Sequence, residues 1–279
     1  MKILVAIILY KPDLLMVESL INVMKPYVQE FFLWDNTFGE CGLNSILGIS
    51  IHRNGKGKQN LGLSGAYNKA IEYANLKGYE YLLTMDQDST WDGFDNYIRQ
   101  VKRYEINKPN RSIYFANLSE DNKNSYYIMS MGGVNSGTII PISFLNIIGG
   151  YNEDFFVDAI DDWLAIEAHR HGLECLLVGN CRIILKPGNR HFVKLLWKQC
   201  IAYDYPPYRL YGVFRNYMIL WKYYPMSEEC KRKVIDLFFK DWIKRIVFLE
   251  KNKYKKLKAI IYGIYDGLNR NPSRRETFM

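Results

Sequence analysis

The sequence predicts an α/β fold: a parallel sheet with helices on both faces, and a basic helical region at the C-terminal end. Strand-like and helix-like segments alternate through residues 1–118, which is typical of parallel strands joined by crossover helices. Basic residues concentrate elsewhere, because residues 230–279 contain fourteen Lys and Arg against five Asp and Glu, whereas residues 1–229 contain 23 against 24. We therefore expect an α/β domain over residues 1–222 and a basic amphipathic helical region over residues 223–279.

The elements of the first half are predicted from apolar spacing. Short apolar runs bounded by polar residues predict buried strands over 2–9, 28–34, 49–52, 81–85 and 112–117. Apolar residues at helical spacing predict a helix over 14–24. A second helix is indicated by Ala66, Ala70 and Ala74 at i,i+4 spacing, with Ser64 as its expected N-cap.

Two glycine-rich runs, 54–65 and 131–137, separate these elements. Glycine lets a backbone approach a ligand closely, but it is equally common in ordinary turns. Both interpretations stay open for the second run, which leads into the apolar segment 138–148.

Composition bounds the class of protein. A hydrophobic content of 48% and an aromatic content of 15% over 279 residues suffice for a packed core. No apolar run approaches the roughly 18 residues of a membrane span, and the apolar residues 3–9 predict a first strand, not a signal peptide. The five cysteines are scattered without a C-x-x-C pair, so we expect neither zinc nor a disulfide framework, and a reducing cytosol.

The C-terminal part is aromatic and basic. Its apolar spacing predicts helices over 192–202, 208–223, 229–249 and 254–268, followed by a polar, unstructured tail over 269–279. In the third and fourth of these helices Lys and Arg alternate with Leu, Ile, Phe, Trp and Tyr, which is typical of a membrane-surface element. A core-packed helix with a solvated basic face is the alternative.

A pair of carboxylates follows the buried run 81–85. Asp86 and Asp88 are two residues apart, and such residues of an extended chain point the same way. Open α/β sheets bind ligands at this edge, where two carboxylates suit Mg²⁺ or Mn²⁺ together with a phosphate-bearing substrate. The alternative is a solvated turn, since Asp and Ser are common turn residues.

A second acidic cluster contains Asp158, Asp161 and Asp162, near the start of a helix expected to end at Gly172. The helix dipole alone favours acidic residues there. Asp158 and Asp161 are also three residues apart and would share a helix face among apolar neighbours. Because such surroundings raise the pKa of a carboxyl group, the cluster also predicts a general base.

Several motifs stand in a specific order. They are Asp35-Asn36, Asn60-Leu61-Gly62…Ala66-Tyr67-Asn68, Asp86-Gln87-Asp88-Ser89, Phe156-Val157-Asp158-Ala159-Ile160-Asp161 and Tyr208-Arg209-Leu210-Tyr211…Arg215-Asn216. This order resembles family 2 glycosyltransferases of the inverting, GT-A kind, in particular bacterial rhamnosyltransferase-type enzymes, over roughly residues 2–220. The resemblance implies a GT-A fold, which is a Rossmann-like mixed sheet flanked by helices, with a nucleotide-sugar half over about 1–118 and an acceptor half over about 119–222.

The resemblance also implies roles for individual residues. The nucleotide would border Ala6, Ile8, Tyr10, Asp35, Asn60 and Gly62. Asp86 would contact the ribose or sugar, and Asp88, with Asp86 beside it, would bind the Mg²⁺ or Mn²⁺ that bridges the diphosphate. Asp161 would be the catalytic base, supported by Asp158. Arg209 and Arg215 would approach the leaving diphosphate or brace the site.

The sequence departs from the family pattern after Asp161. The related pattern has an acidic residue two positions on and Arg six positions on, where this chain has Trp163 and Glu167. An alternative register makes Asp162 the base.

The implied function is inverting transfer of a sugar to a glycan or lipid-linked acceptor in bacterial surface polysaccharide synthesis. The expected donor is dTDP-rhamnose, with UDP-hexoses and UDP-galactofuranose open. We expect a cytoplasmic protein held peripherally at the anionic inner face of the cell membrane by its basic C-terminal region. The competing class is a non-catalytic membrane- or nucleic-acid-binding module, although no nucleic-acid recognition motif is present. A nucleotidyltransferase would need a triphosphate-binding signature that is not evident.

Overall fold

A computed structural model describes residues 1–39, 42, 44–54, 60–119, 126–128, 132–185, 191–195 and 198–279. Most of the first glycine-rich run (55–59), Met131 of the second, and Cys41 lie outside the described residues. The chain divides into two compact units: a first unit of residues 1–156 and 160–186, and a second unit of residues 157–159 and 187–279. The division near residue 186 falls earlier than the expected boundary at 222, because the hairpin and helix that follow residue 186 pack with the C-terminal helices.

The first unit is built on a nine-stranded sheet of order β3-β4-β2-β1-β5-β9-β7-β10-β8. Its strands are β1 (Ile3–Leu9), β2 (Glu30–Asp35), β3 (Ser45–Ile46), β4 (Ile49–Arg53), β5 (Tyr81–Asp86), β7 (Ser112–Ala116), β8 (Tyr126–Ile128), β9 (Thr138–Pro141) and β10 (Glu174–Val178). A small ribbon pairs β6 (Ser89–Asp92) with β11 (Arg182–Leu185). The unit's helices are α1 (Leu14–Met24), α2 (Gly62–Lys77), α3 (Phe94–Asn107), α4 (Ile142–Ile147) and α5 (Ile160–Arg170).

The sheet is mixed, as the resemblance to GT-A enzymes implies, whereas the alternation of strands and helices alone predicts parallel strands. Strands β4, β2, β1 and β5 run parallel to one another, whereas β9 is antiparallel to both β5 and β7. All seven residues of β1 are buried, because the central strand of such a sheet is covered on both faces. Helix α1 contributes Val17, Leu20, Ile21 and Met24 to the same core, at the spacing of one helix face.

The second unit combines a hairpin with a group of helices. Its elements are β12 (His191–Leu195), β13 (Lys198–Ala202), α6 (Pro207–Tyr223), α7 (Glu228–Ile235), a π-helix (Asp236–Trp242), α8 (Ile243–Leu249), α9 (Lys253–Asn269) and a 3₁₀ turn (Arg275–Phe278). Helices α6 and α9 pack closely, since a Cβ on Gly263 would lie 2.6 Å from the carbonyl oxygen of Tyr211. Across the described residues, no helix combines the length and apolar character needed to cross a bilayer.

Two expectations for this unit are wrong. The segment expected as a helix over 192–202 forms the β12–β13 hairpin, with Phe192 opposite Ile201 and Val193 opposite Cys200. Aromatic and β-branched residues stabilise such cross-strand pairs, and this pairing overrides the local helical spacing.

The C-terminal tail is folded, contrary to the expectation of an unstructured segment. Its Arg274 forms an ion pair with the buried Asp266 of α9. Its Phe278 stacks on Tyr211 of α6, with ring centroids 5.2 Å apart. These contacts join residues far apart in sequence, so a polar composition alone does not reveal them.

Candidate functional site

Two carboxylates flank the C-terminal end of the central strand β1. The parallel register places Ile8 opposite Asp86 of β5 and Leu9 opposite Asp35 of β2. Asp35 is buried, with 5% of its surface exposed, and accepts the backbone N–H of Thr37 at 2.9 Å. The neighbouring polar ends of these strands therefore meet at one sheet edge, where open α/β sheets bind ligands.

The end of β1 is tied to the acidic turn after β5. The backbone N–H of Tyr10 donates to the side-chain oxygen of Gln87, and the Gln87 amide donates to the carbonyl oxygen of Tyr10, both at 2.8 Å. Of the residues in and after β1 that are expected to border a nucleotide, Ala6 and Ile8 are buried inside the sheet, whereas Tyr10, just past the strand, is 48% exposed.

The two acidic residues of this turn differ in setting. Asp86 is the last residue of β5 and is half-buried, whereas Asp88 is exposed in the turn that leads to β6. The expectation that strand alternation aligns them is wrong, because the chain leaves the extended conformation at Gln87. Asp86 therefore lies at a strand end and Asp88 in a turn, so the two carboxylates do not share one strand face.

The loop 132–137 braces Asp86. The hydroxyl of Ser136 accepts the backbone N–H of Asp86 at 3.0 Å and hydrogen-bonds the hydroxyl of Ser89 at 2.8 Å. The Thr84 hydroxyl donates to the carbonyl oxygen of Asn135 at 2.6 Å. The run of small residues in the sequence predicts this loop, but it does not predict that the loop contacts β5.

The other end of the same loop reaches the start of α5. A Cβ on Gly132 would lie 2.5 Å from the carbonyl oxygen of Asp161, so only glycine allows this approach. Asp161 and Asp162 occupy the first turn of α5 and are half-buried, and Asp161 accepts the N–H of Asp162 at 3.1 Å. Loop 132–137 therefore links the acidic turn after β5 to the second acidic cluster.

Two buried tyrosines connect the same two acidic groups. The rings of Tyr67 and Tyr151 lie 5.3 Å apart. Burial raises the pKa of Tyr67, and the charge of Asp86 raises it further. Burial likewise raises the pKa of Tyr151, with an added contribution from Asp161. The charges of Asp86 and Asp161 thus each act on one ring of this tyrosine pair.

Asn68 joins the motif 66–68 to the second of these tyrosines, Tyr151. Its amide donates to the carbonyl oxygen of Tyr151 at 3.0 Å, and its Oδ1 accepts the Tyr151 N–H at 2.7 Å. Tyr67 and Asn68 belong to a motif in the sequence, but the sequence indicates no role for them. Tyr151 belongs to none of the motifs, so it could not be found from the sequence.

The start of α2 is fixed by side-chain amides. The amide of Asn36 donates to the carbonyl oxygen of Gly62 at 2.8 Å, and its Oδ1 accepts the N–H of Leu61 at 3.1 Å. Asn60 accepts the N–H of Gly62 at 2.8 Å. Ser64 is not the N-cap: the helix begins at Gly62, and the Ser64 hydroxyl donates to the carbonyl oxygen of Phe155.

Asp158 lies in the second unit and before α5. Ala159 has a φ of 67°, so the chain is not helical between Asp158 and Asp161, and the expected shared helix face is wrong. Burial raises the pKa of Asp158, although Arg209, whose Nε lies 3.4 Å from Asp158 Oδ1, opposes the rise. Asn216 donates to the carbonyl oxygen of Asp158 at 2.8 Å.

The two arginines of the fourth motif have different surroundings. Arg209 is partly exposed beside Asp158. Arg215 is 2% exposed, and its guanidinium donates to the carbonyl oxygen of Asn271 at 2.9 Å. These contacts favour the bracing alternative for Arg215.

Among the described residues, no group of three or more His, Cys, Asp or Glu side chains is arranged to hold a metal ion. Magnesium sites that also use substrate phosphates commonly need only one or two protein carboxylates. The half-buried Asp86 and the exposed Asp88, at the edge where open α/β sheets bind ligands, fit that donor set.

No protein-family model matches the chain. The chain is similar to the dTDP-rhamnosyl transferase RfbF of Shigella flexneri, with 23% identity over 286 residues and 94% of each chain covered. Among solved structures, S. aureus TarS 1–349 matches with a TM-score of 0.58 and 12% identity, covering 100% of this chain and 83% of that one.

Two ligand complexes match as well. TarS 1–349 in complex with UDP gives a TM-score of 0.54 at 12% identity, covering 100% of this chain and 91% of that one. GalNAc-T7 with UDP, GalNAc and Mn²⁺ gives a TM-score of 0.55 at 11% identity, covering 97% of this chain and 58% of that one. The GT-A fold class is thereby confirmed, as is the resemblance to family 2 glycosyltransferases of the rhamnosyltransferase type.

Proposed function

We propose that the protein is an inverting glycosyltransferase that moves rhamnose from dTDP-rhamnose to a glycan or lipid-linked acceptor in bacterial surface polysaccharide synthesis. The observation that carries the proposal is that loop 132–137 contacts Asp86 through Ser136 and Asp161 through Gly132. The backbones of Asp86, the residue proposed to bind the donor, and of Asp161, the proposed base, thus both lie against one loop of the first unit. The dTDP-rhamnosyl transferase relative supports the choice of donor, and UDP-hexoses and UDP-galactofuranose are the alternatives that the test separates.

On the donor side, Asp35 and Asn60 would hold the nucleoside, and Asp86 the ribose or sugar. Asp88, with Asp86, would hold Mg²⁺ or Mn²⁺ against the diphosphate. When bound, the metal ion would offset the negative charge of the departing diphosphate. The Mn²⁺ present in the GalNAc-T7 complex is consistent with this choice.

On the acceptor side, Asp161 would take the proton of the acceptor hydroxyl as that oxygen attacks the anomeric carbon. The bond from that carbon to the diphosphate breaks in the same step, so one displacement with one base inverts the configuration. Asp162 is the alternative base. Arg209, partly exposed beside Asp158, would bind phosphate oxygens or the acceptor.

Membrane association is proposed for the basic C-terminal helices. Tyr254, Lys258, Ile261 and Tyr265 are exposed along α9 at the spacing of one helix face. Lys and interfacial aromatic residues on one face suit an anionic lipid surface. Deleting residues 230–279 would remove α9 from α6, so co-sedimentation with phosphatidylglycerol vesicles should instead compare wild type with Ile261→Ser and Lys258→Gln. Binding that these changes leave intact would contradict the membrane proposal.

The experiment that tests the transferase proposal is a thermal-shift panel of sugar nucleotides with Mg²⁺ or Mn²⁺. A ligand that binds only the native state raises the melting temperature. We expect dTDP-rhamnose to give the largest rise, with a smaller rise for dTDP. A larger rise with a UDP-sugar would change the donor, and no rise with any sugar nucleotide would contradict the proposal.

A further inference from the structure

The Arg209 guanidinium is held on two sides within the second unit. One of its faces lies over the ring of Tyr205, with Cζ 4.6 Å from the ring centroid. Its Nε lies 3.4 Å from Oδ1 of Asp158. Neither terminal nitrogen of Arg209 hydrogen-bonds to another residue in the described part of the chain, and 42% of the side chain is exposed. A guanidinium fixed in this way keeps the N–H groups of its two terminal nitrogens for a ligand.

Further aromatic rings support Tyr205 from behind. Its ring centroid lies 6.0 Å from that of Tyr203 and 5.4 Å from that of Trp242. The Trp242 ring packs edge-to-face on the buried Phe238, with centroids 5.4 Å apart. A second guanidinium, that of Arg245, lies over Tyr203, with Cζ 5.0 Å from the ring centroid. The rings therefore form a support on which arginine side chains are stacked.

The backbone that carries the Tyr205 ring is fixed as well. The preceding Asp204 has a φ of 46°, in the left-handed region that non-glycine residues rarely adopt. The buried ammonium of Lys256 lies 2.6 Å from Asp204 and 2.8 Å from the buried Glu250. After Tyr205 come Pro206-Pro207, at the start of α6, where the proline rings restrict φ. The ring and the helix turn that carries Arg209 thus extend from one restrained segment.

This arrangement favours an anionic ligand for Arg209. The Asp158 carboxylate offsets its charge through a single contact of 3.4 Å at Nε. The two terminal nitrogens of a guanidinium match two oxygens of a phosphate group, and such charge-assisted pairs are stronger than bonds to a neutral hydroxyl. A side chain that is already ordered also loses less conformational entropy when its ligand binds.

We propose that Tyr205 is a positioning residue that holds the Arg209 guanidinium in place to bind phosphate oxygens of the sugar nucleotide; this inference rests on the proposed transferase function. Tyr205 belongs to none of the motifs in the sequence. The alternative is that the stacked ring only stabilises the start of α6, and in that case its loss would not act through Arg209.

Calorimetric titration of dTDP and of UDP, each with Mn²⁺, tests the inference on the full chain, because both nucleotides carry a diphosphate. Tyr205→Phe keeps the ring face, and the Tyr205 hydroxyl has no hydrogen bond among the described residues, so the affinity of this variant should match wild type. Tyr205→Leu keeps apolar bulk without the ring and should weaken nucleotide binding about tenfold. An equal loss in Tyr205→Phe and Tyr205→Leu would overturn the inference.

Two changes at Arg209 show whether the ring acts through it. Arg209→Lys keeps the positive charge without the planar fork, so it should also weaken binding about tenfold, and its result does not depend on the folding of Tyr205→Leu. In an Arg209→Gln background, Tyr205→Leu should cause no further loss of affinity. The same additional loss in both backgrounds, or wild-type affinity in Arg209→Lys, would overturn the inference.

Tyr223→Leu is the matched control. The Tyr223 ring also lies under a guanidinium, since Cζ of Arg270 is 5.6 Å from its centroid. Its nucleotide affinity should match wild type, and a loss equal to that of Tyr205→Leu would overturn the inference.

The two proposals can be told apart. Wild type that binds neither dTDP nor UDP would contradict the transferase function, and the inference with it. Nucleotide binding to wild type that Tyr205→Leu leaves unchanged would contradict the inference alone.

Discussion

The hydroxyl oxygen of Ser136 lies 3.0 Å from the backbone nitrogen of Asp86 and accepts its N–H. This bond joins the loop that precedes β9 to the acidic end of β5, and through Gly132 the same loop approaches Asp161. The backbones of Asp86 and Asp161 thus both lie against one short loop of the first unit.

Replacing Ser136 by Ala should weaken donor binding. The variant removes the acceptor of the Asp86 N–H and the partner of the Ser89 hydroxyl, at about 1–3 kcal/mol for buried polar groups. We expect donor affinity, measured by calorimetric titration, to fall about tenfold, which corresponds to about 1.4 kcal/mol. Ser227→Ala, which removes the N-cap of α7, is the control for a similar loss of stability, and its donor affinity should match wild type.

Replacing Gly62 by Ala should destabilise the first unit. Gly62 has a φ of +70°, and a Cβ there would lie 2.3 Å from the carbonyl oxygen of Phe156. Gly48→Ala is the matched control, since Gly48 has a similar φ of +78° with nothing within 4 Å. The control should lose about 1–2 kcal/mol of unfolding free energy through the left-handed backbone alone, and Gly62→Ala a further 1–3 kcal/mol, roughly, through overpacking. Equal urea midpoints for the two variants would contradict the predicted overpacking against Phe156.

Asp266 should make stability depend on acid pH. Burial alone would raise its pKa, but hydrogen bonds from Arg274, Asn271 and Tyr211 hold the pKa below its ordinary value. Its stabilising effect is therefore complete above the unfolded-state pKa and is lost as the pH falls through the lower folded-state value.

Asp266→Asn checks this sign. The variant should lose about 1–3 kcal/mol at neutral pH, because charged hydrogen bonds are replaced by neutral ones. Urea unfolding from pH 7 down to acid pH should bring the two proteins closer in stability. A difference in unfolding free energy between Asp266→Asn and wild type that stays constant over this pH range would contradict the lowered pKa of Asp266.

Asp161→Asn should separate binding from transfer. If Asp161 is the base, donor affinity should be unchanged while the transfer rate falls roughly 10²–10⁴-fold, the usual effect of removing a general base. Asp162→Asn is the matched comparison in the same helical turn. A larger loss in Asp162→Asn would move the base to that residue.

Part of this arrangement could be predicted from the sequence. The ends of β1, β2 and β5 follow from local apolar runs that stop at polar residues, and Asp35 and Asp86 were located that way. The contacts of Ser136 with Asp86 and of Gly132 with Asp161 join residues 50 and 29 positions apart in sequence, and no local pattern encodes them.

The second unit was less predictable. The hairpin over residues 191–202 has the apolar spacing of a helix, and only cross-strand pairing decides between the two. Neither the π-helix Asp236–Trp242 nor the positive φ of Asp204 has a local signal in the sequence.

We propose that the end of β5 binds a sugar nucleotide through a metal ion held by Asp88. The direct measurement is calorimetric titration of dTDP-rhamnose, with Mn²⁺ and with EDTA, into wild type, Asp88→Ala and the control Asp92→Ala, which changes an exposed carboxylate at the end of β6. We expect Mn²⁺ to strengthen donor binding to wild type and Asp92→Ala but not to Asp88→Ala. Equal, Mn²⁺-dependent affinity in Asp88→Ala and wild type would contradict it.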